Sequence, residues 1–115
     1  METIRDGRGG IFSWIPDSCI REFTLLFFHP NKIRGNHFHP EFVEYFLVLE
    51  GKLLLTTFDE ISQKQLSHLI GAGFCFKTPI GTSHALQAIV ESTCISLITK
   101  PWDECTNPIV TKPLI

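Results

Sequence analysis

The sequence predicts an all-β domain, and three observations carry that prediction. The apolar residues of this 115-residue chain fall in short runs rich in Phe, Leu, Ile, Val and Thr; Gly, Pro, Asn and Asp separate the runs; and no long helical period is present. Strands are expected near 11–15, 21–28, 33–39, 43–50, 52–58, 63–70, 74–78, 84–90 and 93–99. Side chains alternate across a strand. In the 21–28 run, Phe23, Leu25 and Phe27 therefore share one face while Leu26 and Phe28 share the other, so this strand is expected to be covered on both sides. In 43–50 the same rule separates Glu44, Phe46 and Val48, expected inward, from Tyr45, Leu47 and Leu49, expected outward. Asp59-Glu60 is placed to turn a hairpin between GKLLLTTF and the more polar ISQKQLSHLI, and Pro79 with Gly81 turns the chain ahead of a strand that opens at His84. The closing segment 101–115, PWDECTNPIVTKPLI, has too many prolines for a central strand and is expected to wrap the surface.

Composition bounds the partners. The length suits one domain over 1–115, and a hydrophobic share of 43% with ten phenylalanines supplies a core that needs no disulfide. A net charge of -2 comes from scattered acids and bases, without the basic stripe that binding to a phosphate backbone requires, so nucleic acid is not an expected partner. Cys19, Cys75, Cys94 and Cys105 are widely spaced with no CxxC pair, and they are expected to be reduced thiols. The start METIRDGRGG has no apolar core of a signal peptide, and Glu44, Glu50 and Lys52 break the longest apolar runs. No membrane partner and a cytoplasmic location are therefore expected.

The chemistry begins at RGNHFHPEFVEYFLVLEG. His37 and His39, two residues apart on a strand, point the same way and can converge on one ion. Glu44 lies an odd number of residues beyond His39, so it joins them only if a turn intervenes, and Pro40-Glu41 supplies one. In GFCFKTPIGTSHALQAI, His84 offers a fourth donor from a distant hairpin. A buried carboxylate beside three imidazoles costs several kcal/mol unless a cation or proton compensates it. The expected cofactor is one divalent transition metal ion, which could be Zn, Fe, Mn, Ni or Cu, because this donor set suits all five. His29 and His68 fall outside the cluster and are expected to be surface or structural residues. Arg34, Phe46 and Val48 are candidates to contact a small-molecule substrate; no catalytic acid or base is identified.

These segments resemble the two sequence motifs of the cupin superfamily. The first reads His-x-His, then Glu, then Gly, here His37, His39, Glu44 and Gly51 within 35–51; the second reads Gly, Pro-x-Gly and His, here Gly73, Pro79, Gly81 and His84 within 73–88. The resemblance implies a double-stranded β-helix, or jelly-roll barrel. Two positions depart: Asn31 stands where the family often has glycine, and Ala88 where it often has asparagine. Asn tolerates the left-handed backbone a glycine would serve, so the first change is mild.

A narrower pattern, Asp6-x-Arg8-Gly9, Pro30, Arg34-Gly35-Asn36-His37-x-His39 and Glu44-x-Phe46-x-Val48, is similar to small cupins of polysaccharide and nucleotide-sugar biosynthesis. It implies an isomerase or epimerase acting on a sugar or sugar-like hydroxy-carbonyl compound. The alternatives are an iron-dependent dioxygenase and a non-catalytic sugar-binding or sensing module. Sugar epimerases of the superfamily commonly use a catalytic tyrosine, whereas the one tyrosine here, Tyr45, is expected to point outward. The outward apolar residues of 43–50, together with those of 21–28, lead to the expectation of a homodimer.

Overall fold

The computed structural model describes residues 2–115. A hairpin of β1 (Glu2–Asp6) and β2 (Gly9–Ser13) precedes two facing antiparallel sheets. One sheet has the order β3 (Glu22–Phe28), β10 (Ser92–Ile98), β5 (Glu44–Glu50), β8 (Cys75–Thr78). The other runs β11 (Val110–Thr111), β4 (Ile33–Phe38), β9 (Ser83–Ala88), β6 (Lys52–Asp59), β7 (Lys64–Gly71). The chain crosses between the sheets at nearly every turn, so sequence neighbours such as β5 and β6 lie in different sheets. This is a jelly roll, and its inner faces make the core: Phe28, Val48 and Cys94 from the first sheet against Leu53, Leu55 and Leu86 from the second.

Turn chemistry sets these crossings. Gly51 joins β5 to β6 with φ 98°, and a Cβ there would lie 2.5 Å from the Glu91 carbonyl oxygen and 2.7 Å from Ser92 Cα. Only glycine fits so close to a neighbouring backbone. Asn31 adopts φ 67°, the left-handed conformation expected for it, while its N–H donates to Ala88 O at 2.8 Å. Ala88 itself is fully buried in the core. The Asp59–Lys64 hairpin turns where expected, with Asp59 Oδ1 accepting from Ile61 N–H at 2.9 Å.

Several expectations need correction. The strand expected near 11–15 lies at Gly9–Ser13, and it pairs with Glu2–Asp6, where no strand was expected. Strand β3 is covered on one side only, because Leu26 and Phe28 face the barrel interior while Phe23, Leu25 and Phe27 are exposed. The tail does more than wrap the surface: Val110–Thr111 pairs with Phe38 and His37 of β4. Glu41 anchors it, accepting from Lys100 Nζ at 2.9 Å and Asn107 N–H at 2.5 Å. The four cysteines are free thiols, as expected, and burial pushes the Cys94 thiol up to about 11. Among the described residues no helix is long and apolar enough to cross a membrane.

Candidate metal centre

Three of the four predicted donors, His37, His39 and His84, meet at one end of the barrel, and Glu44 lies beside two of them. His37, His39 and His84 bring ring nitrogens within 4.8 Å of one another. Glu44 Oε1 lies 3.0 Å from His39 Nε2 and 3.5 Å from His84 Nε2. Glu44, His39 and His84 are buried, and His37 is half-buried on the side of an open cavity of about 500 Å³.

Each donor is placed by its local backbone. The chain turns at Pro40-Glu41 and returns as β5 with Glu44 inward, its carbonyl accepting from the Thr78 hydroxyl at 3.1 Å. The turn ahead of His84 puts Gly81 at φ 84° and donates the Gly81 N–H to His39 O at 3.1 Å, which ties the second motif to the first. Between Gly35 and His37 the β4–β9 register slips by one residue. Asn36 is the extra residue, at φ 57°, and a Cβ on Gly35 would lie 2.7 Å from the His84 carbonyl oxygen. This β-bulge reverses the alternation, so Arg34, three residues before His37, also lines the cavity. Arg34 stays exposed at the rim, donating to Phe27 O at 3.4 Å with its guanidinium 5.6 Å from the Phe28 ring centre.

The hydrogen-bond inventory tests whether a cation suits this site. His39 Nδ1 lies 3.0 Å from the Pro108 carbonyl, which can only accept, and its Nε2 faces a carboxylate oxygen, which accepts when ionised. A neutral imidazole has one proton for these two acceptors. Three arrangements satisfy both contacts: an imidazolium, a protonated Glu44 that donates to Nε2, or an Nδ1–H ring with a cation shared by Nε2 and Glu44. His84 Nδ1 is buried without a hydrogen-bond partner, and burial drives that imidazole down to about 4, so it is a neutral donor at neutral pH. Burial also lowers His37, with repulsion from His39 adding to the effect. Burial alone would raise Glu44, but the His39 hydrogen bond, attraction from His84 and His39, and the Ser96 hydroxyl at 2.5 Å hold it below its ordinary value. Neutral His37 and His84 beside an ionised Glu44 are donors of the kind a divalent transition metal takes, and this donor chemistry fits one.

Phe46 lines the cavity as expected, with its ring 5.7 Å from that of His84. Val48 does not. It faces inward but lies four residues beyond Glu44, about 13 Å along the strand, and is fully buried in the apolar core. Tyr45 points outward as expected and bonds Asp17 instead of the cavity. His29 pairs with Glu91 at 3.0 Å on the surface, and His68 is exposed.

Sequence reading missed Ser96, Glu22, Phe42 and Trp102. Phe42 stacks on His39 with centroids 4.4 Å apart, and Trp102 approaches both rings, at 6.5 and 6.3 Å. Glu22 lines the cavity and accepts from Trp102 N–H at 2.7 Å. The inward parity of Glu22 with Leu26 and Phe28, and of Ser96 with Cys94 and Ile98, was the available signal.

No family model and no curated protein matches the chain. Solved structures do. A 3,4-ketoisomerase from Helicobacter canadensis superposes with TM-score 0.80 at 12% identity, over 95% of this chain and 84% of the other. The dTDP-4-dehydrorhamnose 3,5-epimerase from Sulfolobus tokodaii gives 0.71 at 20%, over 85% and 66%. The capsular polysaccharide assembling protein CapF from Staphylococcus aureus gives 0.73 at 18%, and there the chain covers 98% of itself but only 34% of the other protein. The chain thus spans about a third of that protein's length. Facing sheets, both histidine motifs and these superpositions agree, and the chain has the cupin fold.

Proposed function

We propose that the protein is a metal-dependent isomerase or epimerase acting on a sugar that carries a carbonyl beside a hydroxyl-bearing carbon. The observation that carries this reading is a cavity with apolar walls lined both by the His37, His39 and His84 cluster with Glu44 and by Glu22, which shares a cross-strand row with Glu44 through Ile98. A metal held by that cluster would polarise the substrate carbonyl. Apart from Glu44, Glu22 is the one carboxylate lining the cavity among the described residues, and Ser96 is already engaged with Glu44. Glu22 is therefore the group placed to accept a proton from carbon, with Trp102 N–H fixing its Oε1. Leu26, Phe28, Phe46 and Ile98 supply the apolar walls against which the reacting carbon would lie, and Arg34 at the rim offers a fork for the phosphate of a nucleotide-linked sugar. The similar fold of the epimerase supports the sugar class, since its name places it on a dTDP-linked dehydro sugar, and that of the 3,4-ketoisomerase supports an isomerisation at a ketone.

The test is proton exchange. Metal-loaded protein incubated in D2O with a dTDP-4-dehydro sugar should place deuterium at a carbon next to the ketone, and Glu22→Gln should slow this by about 100-fold or more with its metal content unchanged. No deuterium at any carbon with metal bound contradicts the isomerase reading, and oxygen uptake by the iron form would favour a dioxygenase instead.

A further inference from the structure

The β4–β9 ladder breaks at one residue, and that residue decides which side chains the cavity receives. Ile33 pairs with Gln87, Arg34 with Leu86 and Gly35 with Ala85, so a regular ladder would next pair Asn36 with His84. That register would turn the Asn36 side chain into the cavity and His37 out of it. Instead His37 pairs with His84, and Asn36 bulges out at φ 57°. On the outer side its carboxamide meets residues 112–115. Asn36 Oδ1 accepts from Leu114 N–H at 2.8 Å and from Ile115 N–H at 3.2 Å, and its Nδ2 donates to Ile115 O at 3.3 Å. The Asn36 carbonyl also accepts from Lys112 N–H at 2.8 Å. Lys112 is pinned in turn, with its ammonium 2.9 Å from Glu60 and 4.6 Å from the centre of the Phe58 ring. The grip on the carboxamide depends on the bulge, because in the regular register that group would face away from residues 112–115.

We propose that Asn36 is a positioning residue of the site: the main chain of residues 112–115 grips its carboxamide, which holds the bulge in place and aims Arg34 and His37 into one cavity. The residue type fits the task. Asn takes the left-handed backbone with less strain than most residues that carry a side chain, and its amide offers a passing main chain both an acceptor and a donor. Glycine would supply the same backbone without the grip. The same stretch of chain carries Pro108, whose carbonyl lies 3.0 Å from His39 Nδ1. Residues 108–115 therefore govern both imidazoles of the His-x-His pair, His39 through its ring and His37 through its backbone. A ligand that reaches from Arg34 to the histidine cluster meets two groups whose relative aim one residue sets. Metal binding at His37 rests on the metal reading above; the aim of the two side chains does not.

Asn36→Gly tolerates the positive φ and removes the grip. In the metal-free variant, nuclear Overhauser contacts between the His37 and His84 rings, whose centroids lie 4.9 Å apart, and between Arg34 and the Phe28 ring should weaken. A folded variant that keeps the His37–His84 contact at wild-type intensity overturns the proposal. Titration with cobalt(II) should show affinity about 10- to 100-fold lower with an altered visible spectrum, and wild-type affinity with the wild-type spectrum overturns it. Leu114→Pro removes one donor to Asn36, leaves Asn36 in place, and serves as the test if Asn36→Gly does not fold. It should act in the same direction, and added to Asn36→Gly it should change affinity by about 2-fold or less, because the grip is already gone. Full additivity means that the two residues act separately, and this overturns the proposal. If the wild type takes up no cobalt, the metal reading fails and the Overhauser comparison decides alone: loss of the His37–His84 contact in either folded variant upholds the positioning role, and its retention overturns it.

Discussion

The two ends of the barrel are built from the same strands and do opposite things. The inward face of β5 begins with Glu44 among three imidazoles, passes Phe46 at the cavity wall and ends with Val48 among Leu53, Leu86 and Cys94. At the Val48 end the inward groups are apolar and enclosed apart from Ser92, whose hydroxyl donates to the Val90 carbonyl at 2.8 Å and accepts from Lys52 N–H at 3.1 Å. At the Glu44 end a buried carboxylate, an orphaned His84 Nδ1 and a ring with two acceptors are held in place although each is costly without a cation. The dry end supplies the stability that lets the wet end keep such groups; one end fixes the fold and the other prepares a site.

This division is open to test, and the largest expected effect is at the wet end. His37→Ala removes a half-buried ring with no protein hydrogen bond, so metal affinity should fall by about 100-fold or more while the urea midpoint shifts by about 1 kcal/mol or less. A variant that unfolds instead would mean the ends are not separable. Leu53→Ala, at the fully buried dry end, should cost about 2–5 kcal/mol in urea unfolding and leave metal stoichiometry unchanged. Next is the tail. Removing residues 106–115 takes away the Pro108 carbonyl that fixes His39, and titration should show metal affinity about 10- to 100-fold weaker with the barrel still folded.

Acidity should act on the wet end as well. In the metal-free protein His84 protonates near 4 when folded but near its ordinary 6.5 when unfolded. The unfolded state therefore binds more protons between these values, so stability should fall as pH drops from about 6.5 towards 4. The depressed Glu44 acts in the same direction, since its stabilisation is lost as pH falls through its folded value. Thermal melts of chelator-treated protein should show this loss, and the metal-bound form should resist it until protons displace the ion. The smallest effect is expected outside the barrel, where Tyr45→Phe should change stability by about 0.5 kcal/mol or less and leave deuterium exchange intact.

Much of this contrast was legible in the sequence. Alternation alone separated Glu44, Phe46 and Val48 from Tyr45, Leu47 and Leu49, and motif spacing brought His84 to His37 and His39. What escaped was non-local or broke the alternation. The bulge at Asn36 turns Arg34 inward against parity, and Gly35-Asn36, two residues tolerant of positive φ, was its trace in the chain. The β1–β2 hairpin has exposed residues on both faces, so no apolar alternation marks it. Pro108 reaches His39 across 69 residues, a contact that no local pattern encodes. Val48 was assigned the right face but the wrong depth, because period-two alternation fixes the side of a sheet and not the position along it.

Three imidazoles and one carboxylate are proposed to hold a single divalent ion. The most direct test of this claim is metal content by mass spectrometry after the stripped protein is re-equilibrated separately with Zn, Fe, Mn, Ni and Cu and then desalted. At least one metal should remain at one ion per chain and be lost in a His39→Ala, His84→Ala double variant. No retained ion with any of the five, or full occupancy in the double variant, would contradict the claim.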